Sequence, residues 1–278
     1  MHAFRIVNVF TIDGDRFSGN PLCVFEDARG ISEPQMQALA RQMNLSETTF
    51  VLPSERADAH VRIFTPAYEM PFAGHPTLGT ASVVAGARDH VVLEMKAGLV
   101  PVTRAGDRWT LRTAKPPVTR KVDATRAEIA RMVGLPDDAV IDEPLWVDTG
   151  SDQLVIPVAT SAQVRAARPV PELLDRWGTT PTREEPMAYV WAADGPEWTV
   201  RFFFIANSAL LEDPATGSAC ANLGGWHLAR GKAPVTATLR QGDAVGRPSR
   251  LELRVDAGGG IFVSGAVIEL GRGTVDLG

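Results

Sequence analysis

The chain has 278 residues, of which 45% are hydrophobic and 22% charged, and its formal net charge is −5. This length fits two domains of ordinary size. The acidic balance and the absence of a Lys/Arg cluster argue against nucleic acid as a partner, and no apolar run reaches the ~18 residues of a membrane helix. Two cysteines, Cys23 and Cys220, cannot form a disulfide framework and the first residues lack a signal-peptide pattern, so we expect a cytoplasmic protein.

The first part of the chain reads as strands around one amphipathic helix. Ser32 and Gln35 form a capping box, and apolar residues follow at helical spacing, which predicts a helix over 33–43. Alternating, β-rich segments bounded by turn residues predict strands. These segments are 5–11, 20–25, 48–52, 60–65, 91–95, 98–104 and 108–113.

Lys115-Pro116-Pro117 is the best linker candidate, because it is the Pro-Pro step near the midpoint. Beyond it the patterns predict helices from Thr125, at 161–167 and at 171–177, and strands within 146–158, 189–193, 199–205 and after 233. Each half is therefore predicted to be an α+β domain with a mixed sheet. We expect an N-terminal domain over 1–115, completed by a C-terminal strand at 266–278, and a C-terminal domain over 116–265.

One short pattern occurs twice, 143 positions apart. Glu69-Met70-Pro71-Phe72-Ala73-Gly74-His75 is matched by Glu212-Asp213-Pro214-Ala215-Thr216-Gly217-Ser218, with Glu, Pro and Gly in register. Each copy runs into a predicted helix, Pro76 to Ala87 and Ala219 to Arg230. A helix start presents unpaired N–H groups and a positive dipole end, which together favour an anion. Two such starts indicate two related domains that share one ligand, and an enzyme acting on a small carboxylate.

Four polar residues near these glycines are candidates for chemistry. Glu47 follows a helix and has apolar neighbours, so its carboxyl is expected to have a raised pKa suited to proton transfer; the alternative is a solvated loop glutamate. His75 can donate to a carboxylate or relay a proton, or it can simply cap the helix. Asp213 and Ser218 can orient and bind a ligand, with capping as their alternative role. Glu69 and Glu212 are interpreted as structural.

Several other site types are excluded by the sequence. It contains no Walker A, no Gly-x-Gly-x-x-Gly after a strand and no His-Glu-x-x-His. The histidines and cysteines have no metal-ligand spacing, so neither a metal nor a cofactor is expected. Ser218 lacks the Gly-x-Ser-x-Gly elbow of the α/β hydrolases, and Cys220 is expected to be a core residue.

With these residues assembled, the chain resembles the phenazine-biosynthesis PhzF-like family, close in fold to diaminopimelate epimerase. The resemblance covers nearly the whole chain and rests on five motifs in order. They are Ser18-Gly19-Asn20-Pro21-Leu22, Asn44-Leu45-Ser46-Glu47-Thr48-Thr49-Phe50, Pro71-Phe72-Ala73-Gly74-His75-Pro76-Thr77-Leu78-Gly79, Asp213-Pro214-Ala215-Thr216-Gly217-Ser218-Ala219, and Gln241-Gly242 with Gly246-Arg247-Pro248-Ser249.

The resemblance implies two similar domains, each a mixed, mostly antiparallel sheet around a long helix, with the active site between them. It implies that Glu47 is the acid/base residue and that His75 and Asp213 also belong to the catalytic site. It also implies a homodimer. The expected substrate-binding residues are Gly74, Gly217, Ser218, Thr216 and Asn20. The best-known member of the family isomerises trans-2,3-dihydro-3-hydroxyanthranilate without a cofactor.

Related racemases and epimerases place a cysteine just before each glycine, where this chain has Ala73 and Thr216. The two-thiol mechanism is therefore excluded, and one carboxylate suits proton transfer on a single face. We predict a cofactor-independent isomerase of a small, cyclic carboxylate. An epimerase or racemase without the two thiols and a non-catalytic binding or scaffold protein stay open as alternatives. Four aromatic residues are candidates for the pocket wall, namely Tyr68, Phe72, Trp191 and Trp226.

Overall fold

Strands and helices follow the predicted order closely. The computed structural model describes residues 1–180, 185–206 and 208–278. The elements before the predicted linker are β1 (His2–Thr11), β2 (Asn20–Phe25), α1 (Glu33–Met43), β3 (Glu47–Leu52), β4 (Ala59–Phe64), β5 (Glu69–Met70), α2 (Gly74–Val84), β6 (His90–Met95), β7 (Gly98–Ala105) and β8 (Arg108–Arg112). Those after it are β9 (Val118–Lys121), α3 (Arg126–Met132), β10 (Leu145–Asp148), β11 (Asp152–Pro157), α4 (Ser161–Ala166), α5 (Pro171–Trp177), β12 (Met187–Ala192), β13 (Trp198–Ala206), β14 (Ala209–Asp213), α6 (Gly217–Ala229), β15 (Val235–Gln241), β16 (Ser249–Val255) and β17 (Ile261–Val275), with a short 3-10 turn at Asp243–Val245.

The early strands pair in a closed ring. The order is β1, β2, β3, β4, β6, β7, β8 and β17, and β17 returns to β1. Two of these pairs are parallel, β2 with β3 and β4 with β6, and the others are antiparallel. The sheet is therefore mixed, as predicted.

The later strands repeat this order. They run β10, β11, β12, β13, β15, β16 and β17, with β9 beside β10, and the parallel pairs are again the second and fourth in the series. Such a repeat is what two related domains would produce. The boundary between residues 115 and 116 remains a prediction.

One helix lies inside each group of strands. α2 contacts β1, β2, β8 and β17, and α6 contacts β10, β11, β16 and β17. Most residues of both helices are small or apolar and most are buried, which is typical of helices inside a core. They have 11 and 13 residues, so they are of ordinary length and the expected long helix is not confirmed.

Three apolar clusters hold the chain together. The largest joins the inner faces of both groups of strands to α2 and α6. A second packs α3, α4 and α5 on the outer face of β10–β13, and a third packs α1 on β2, β3 and β4. In residues 1–180, 185–206 and 208–278, none of the helices combines the length and hydropathy needed to cross a bilayer.

Candidate active site

The two repeated glycines meet at one place. A Cβ added to Gly74 would lie 2.5 Å from the carbonyl carbon of Gly217 and 2.6 Å from the backbone nitrogen of Ser218. Only glycine allows the backbones of two helix starts to approach this closely. A cavity of about 390 Å³ opens beside the contact, and it is lined by Gly74, Gly217 and Ser218 together with Glu47. The convergence predicted from the repeat is therefore present.

Both glycine helices begin two residues earlier than predicted. Gly74 and Gly217 are the first helical residues. Their own N–H groups therefore belong to the first turn, where no carbonyl of the same helix accepts them. No acceptor in the described parts of the chain takes the N–H of Gly74, Gly217 or Ser218. Two sets of free donors, backed by two helix dipoles, therefore border one cavity.

Glu47 and His75 face each other in the cavity wall. Glu47 Oε2 lies 3.4 Å from His75 Nε2, and their side chains are 14% and 4% exposed. Neither atom has a hydrogen-bond partner among the described residues. Burial, and after it the neighbouring Asp213 carboxylate, raises the pKa of Glu47 well above the usual range of a carboxyl. Glu47 is therefore not a solvated loop residue but a desolvated carboxyl at the start of β3.

The His75 ring is neutral in the folded protein. Burial lowers the pKa of His75 to about 3, although a hydrogen bond with the Pro21 backbone opposes this shift. Proline has only a carbonyl to offer, so the ring must donate one N–H to it. Nε2 faces Glu47, and Asn20 Nδ2 lies 3.3 Å from Nδ1. A neutral ring offers one N–H and one lone pair, so His75 can take part in hydrogen bonding without adding charge to the cavity.

Asp213 lies at the end of β14, next to the same cavity. Thr216 Oγ1 donates to its Oδ2 at 2.5 Å, and Asn20 Nδ2 donates to its Oδ1 at 2.9 Å. Burial raises the pKa of Asp213 to about 6, against the opposing effect of hydrogen bonds from Thr216, Asn20 and Ser46. Two buried carboxyls that repel each other hold a proton more tightly than either would alone.

Asn20 lies behind the cavity wall. It is fully buried and is not among the residues that line the cavity. Its Nδ2 donates to Asp213 Oδ1 and to the Ala215 carbonyl, both at 2.9 Å, so both amide hydrogens are used. Asn20 therefore positions Asp213 from behind the cavity wall, and its predicted role in substrate binding stays a prediction.

Two residues of the motifs near the C-terminus, Gln241 and Arg247, hold the loops that carry Asn20 and Asp213. Gln241 Oε1 accepts from the Thr216 N–H at 3.2 Å, and its Nε2 donates to the Asp213 carbonyl at 2.9 Å. Arg247 Nε donates to the Gly19 carbonyl at 2.7 Å. Residues far apart in sequence thus fix the segments that carry Asn20 and Asp213.

An ion pair recurs just before each glycine motif. Arg62 on β4 donates to Glu69 on β5 at 2.7 Å, and Arg201 on β13 donates to Glu212 on β14 at 2.6 Å. The second pair is almost completely buried, with both side chains 8% exposed. These contacts agree with a structural role for Glu69 and Glu212, because each pair ties a short strand to its neighbour ahead of the helix start.

Sequence reasoning missed Gln153. This side chain on β11 is 2% exposed and lines the cavity, and its Nε2 donates to Ser218 Oγ at 2.9 Å. Its Oε1 accepts from Asn222 Nδ2 at 2.7 Å. A glutamine next to the apolar run Leu154-Val155-Ile156 was the available signal, because buried polar side chains need partners.

The apolar wall differs from the expected one. Of the four aromatic candidates only Tyr68 lines the cavity, where its hydroxyl donates to Glu185 Oε2 at 2.6 Å. Phe72, Trp191 and Trp226 are core residues and do not line it. Apolar side chains that the sequence did not indicate complete the wall, namely Leu45, Met70, Met187, Phe202, Phe204 and Leu211.

The two positions that hold cysteine in the related racemases and epimerases face the cavity. Ala73 and Thr216 precede the two helices and both line it. Cys23 and Cys220 are buried, free and absent from the lining. Burial raises the pKa of the Cys23 thiol to about 12 and that of Cys220 further. A pair of thiolates is therefore not available to this site.

Comparison with known proteins agrees with this geometry. A family model for phenazine biosynthesis-like proteins (PhzC-PhzF) matches residues 7–266. An uncharacterised isomerase of Pasteurella multocida is 37% identical over 277 residues, covering 98% of this chain and 93% of that protein. The trans-2,3-dihydro-3-hydroxyanthranilate isomerase of Pseudomonas aeruginosa is 34% identical over 274 residues, covering 93% and 92%.

A solved structure has the same fold. The PhzF-family phenazine biosynthesis protein of Bacillus anthracis superposes with a TM-score of 0.81 at 23% identity, covering 99% of each chain. The resemblance stated from the motifs is confirmed, and so is the predicted isomerase class, since both of these full-length relatives are named isomerases.

Proposed function

Because the chain belongs to the phenazine biosynthesis-like family, we propose that it is a cofactor-independent isomerase that moves one proton within a small, cyclic carboxylate. The observation that carries the proposal is the contact of Glu47 Oε2 with His75 Nε2, both unpartnered among the described residues and both bordering the cavity between the two helix starts.

The substrate class follows from the size and lining of the cavity. A volume of about 390 Å³ suits a single substituted ring, at the lower end of the range for small-molecule sites. The Pseudomonas aeruginosa relative acts on trans-2,3-dihydro-3-hydroxyanthranilate, which is a ring carboxylate. We propose a substrate of this class, placed with its ring against Met70, Phe202 and Phe204.

The carboxylate would bind where the two helices begin. The free N–H groups of Gly74 and Gly217 and the Ser218 hydroxyl all reach the cavity, with Thr216 beside them. Donors that are fixed before the reaction stabilise developing negative charge without reorganising, and one such donor contributes about 3–4 kcal/mol to the transition state.

Glu47 is proposed to transfer the proton. Its raised pKa makes the ionised form a stronger base than an ordinary carboxylate, and the protonated form can return the proton near neutral pH. The proton would leave one ring carbon and return to another on the same face, so no atom is gained or lost. The neutral His75 would contact the Glu47 carboxyl and hold it in place, while burial, and after it the Asp213 carboxylate, keeps the pKa of Glu47 high.

The two halves supply unequal residues, which favours one base. Glu47 is the first residue of β3, and Met187 is the first residue of β12, the strand in the same place of the repeated order. Both line the cavity. A thioether cannot take a proton from carbon, so this pair supports transfer on a single face rather than inversion between two opposed bases.

Three further properties are part of the proposal. We propose two similar domains, 1–115 and 116–265, with 266–278 completing the first. A homodimer and a cytoplasmic location are retained from the sequence and remain predictions.

The direct test is Glu47→Gln, which keeps the shape of the side chain but removes its proton-transfer capacity. With trans-2,3-dihydro-3-hydroxyanthranilate as substrate, we expect turnover to fall ~10²- to 10⁴-fold. Glu33→Gln on α1 is the matched control and should leave turnover unchanged, because Glu33 is exposed and does not line the cavity. Full turnover in Glu47→Gln would refute the assignment.

The reaction type is tested in heavy water. An isomerase should place deuterium only at the carbon that receives the proton, together with a shifted double bond. An epimerase would place deuterium at an inverted stereocentre without a double-bond shift. A binding or scaffold protein would bind the ring carboxylate and leave it unchanged. Either of the last two outcomes would replace the proposed function.

A further inference from the structure

We propose that Gln153 is a substrate-binding residue that selects a carboxylate, and that Asn222 is the positioning residue that fixes its amide as a donor. The inference rests on the proposed function, because it concerns the same cavity. Of the described residues that line this cavity none is Lys or Arg, so a bound carboxylate must be recognised by neutral donors.

The orientation of Asn222 is fixed by its neighbours. It is fully buried in α6. Its Oδ1 accepts from the Thr149 N–H at 3.0 Å and from Thr149 Oγ1 at 2.6 Å. Its Nδ2 donates to the Ser151 carbonyl and to Gln153 Oε1, both at 2.7 Å. Every donor and acceptor site of this amide is used, so turning it over would break all four contacts.

Asn222 therefore determines which end of Gln153 faces the cavity. Because Gln153 Oε1 accepts from Asn222, Nε2 must point the other way, towards Ser218 Oγ at 2.9 Å. One Nε2 hydrogen goes to Ser218. The second has no acceptor among residues 1–180, 185–206 and 208–278 and is available to a ligand in the cavity.

The contact also sets the direction of the Ser218 hydroxyl. Since Ser218 Oγ accepts from Gln153, its own hydrogen is left to donate, and no acceptor for it exists in the described chain. Gln153 and Ser218 therefore present two side-chain hydrogens beside the free N–H groups of α2 and α6. A carboxylate, which only accepts, matches this set. A neutral primary amide has only one acceptor oxygen and replaces the other with an NH₂, so it matches this set less well.

The test compares a ring carboxylate with its isosteric amide. The probes are 2-aminobenzoate and 2-aminobenzamide, and their dissociation constants are measured by calorimetry. The wild-type protein should prefer the carboxylate. Gln153→Met, which keeps the length of the side chain but has no N–H, should weaken carboxylate binding by ~10- to 100-fold, the effect of one hydrogen bond to a charged group. Amide binding should change little.

Asn222→Asp distinguishes positioning from simple stability. The introduced carboxylate still accepts from Thr149 but cannot donate to Gln153, so the Gln153 amide should turn its NH₂ towards it and its Oε1 towards the cavity. The preference should then reverse, with the amide probe bound more tightly than the carboxylate. A merely structural role would weaken both probes equally and would overturn the positioning claim.

Gln163→Met is the matched control, because Gln163 caps α4 and does not line the cavity. It should leave the preference unchanged. If Gln153→Met does not fold, the side-chain NH₂ resonances of the wild-type protein give a second readout: the Gln153 signals should shift on adding 2-aminobenzoate and not on adding the amide. Wild-type protein that shows no preference for the carboxylate, or that binds neither probe, overturns the inference.

The two proposals fail separately. If the wild-type protein shows no preference for the carboxylate but Glu47→Gln is inactive, only the proposed role of Gln153 is refuted. An intact preference alongside fully active Glu47→Gln would remove only the proton-transfer role of Glu47.

Discussion

Gly74 and Gly217 touch through their backbones, although 143 positions separate them in the chain. A Cβ on Gly74 would lie 2.5 Å from the Gly217 carbonyl carbon, whereas a Cβ on Gly217 would lie 3.1 Å from the Gly74 backbone and 3.0 Å from Phe10 Cζ. The first distance is shorter than real side chains tolerate. The spacing of the two helix starts, and with it the site between them, depends on the missing side chain at Gly74.

Gly74→Ala should therefore be the more harmful of the two substitutions. We expect it to destabilise the protein by about 1–3 kcal/mol, as overpacking does, and to lower kcat/KM by ~10²-fold because the helix donors move. Gly217→Ala should have a smaller effect, since a ring edge can yield. Gly195→Ala is the control, because its Cβ would make only an ordinary 3.6 Å contact with the Glu197 carbonyl oxygen, and it should change neither urea unfolding nor kcat/KM. Equal, small effects at both cavity glycines would contradict the close contact.

Asp213→Asn should change the pH profile of the reaction. Repulsion from the Asp213 carboxylate is one cause of the raised pKa of Glu47, after burial. Removing this charge lowers the pKa of Glu47, so the acid limb of kcat/KM should move to lower pH. Asp137→Asn, at an exposed ion pair, should leave the limb in place. An unmoved or upward-shifted limb in Asp213→Asn would separate Asp213 from the acid/base group.

Glu47→Gln should stabilise the protein, and more so as pH rises. The folded protein holds the Glu47 proton more tightly than the unfolded chain, because its pKa is raised. The contribution of Glu47 to stability is thus fully present below the unfolded pKa and is lost as pH rises through the folded pKa. The difference in unfolding free energy between variant and wild type, measured in urea, should therefore grow with pH.

Glu128→Gln should change stability with pH in the opposite direction. The Thr125 backbone and side chain hold the pKa of Glu128 below its usual value, so its contribution is present above the unfolded pKa and is lost as pH falls through the folded pKa. Removing the Glu128 carboxylate should therefore destabilise the protein most at neutral pH. A Glu47→Gln protein with the same pH trend as Glu128→Gln would show that Glu47 is not desolvated.

Arg201 should be one of the costliest residues to remove. Its guanidinium donates to Glu212 at 2.6 Å and to the Ala167 carbonyl at 2.8 Å, with both ionic side chains 8% exposed. Arg201→Met leaves the Glu212 charge buried and unpaired, and we expect a loss of about 3–5 kcal/mol. Arg131→Met should lose only ~0–1 kcal/mol, because the Arg131–Asp137 pair is exposed. Similar losses for both variants, in urea unfolding, would be inconsistent with this burial.

Local pattern predicted much of the fold. The capping box of Ser32 and Gln35 and the apolar spacing behind it gave α1 its observed bounds, since both signals lie within one helix. β5 and β14 were not predicted. They are held by ion pairs with Arg62 and Arg201, which lie seven and eleven residues before Glu69 and Glu212. A single ion pair of this kind produces no periodic pattern of apolar residues, so the sequence did not predict these strands.

The site was predicted in outline and not in detail. The repeat correctly indicated that Gly74, Gly217 and Ser218 converge, because each half has the same Glu-x-Pro-x-x-Gly pattern directly before a helix. The helix starts were placed two residues late, since Gly and His disfavour helices and Pro76 looked like a first helical residue. Gln153 and the burial of Asn20 depend on partners from other segments, so no single stretch of sequence reveals them.

The pairing of β17 has a consequence for how the chain folds as it is made. β17 joins β8 on one side and β1 on the other, so it closes the ring of strands that the earliest part of the chain begins. Until the ribosome has released β17, β1 and β8 each present a strand edge without this neighbour, and such edges attract other chains. The half that is synthesised first must therefore wait for the segment synthesised late, and the nascent protein is most exposed to misassembly during that interval.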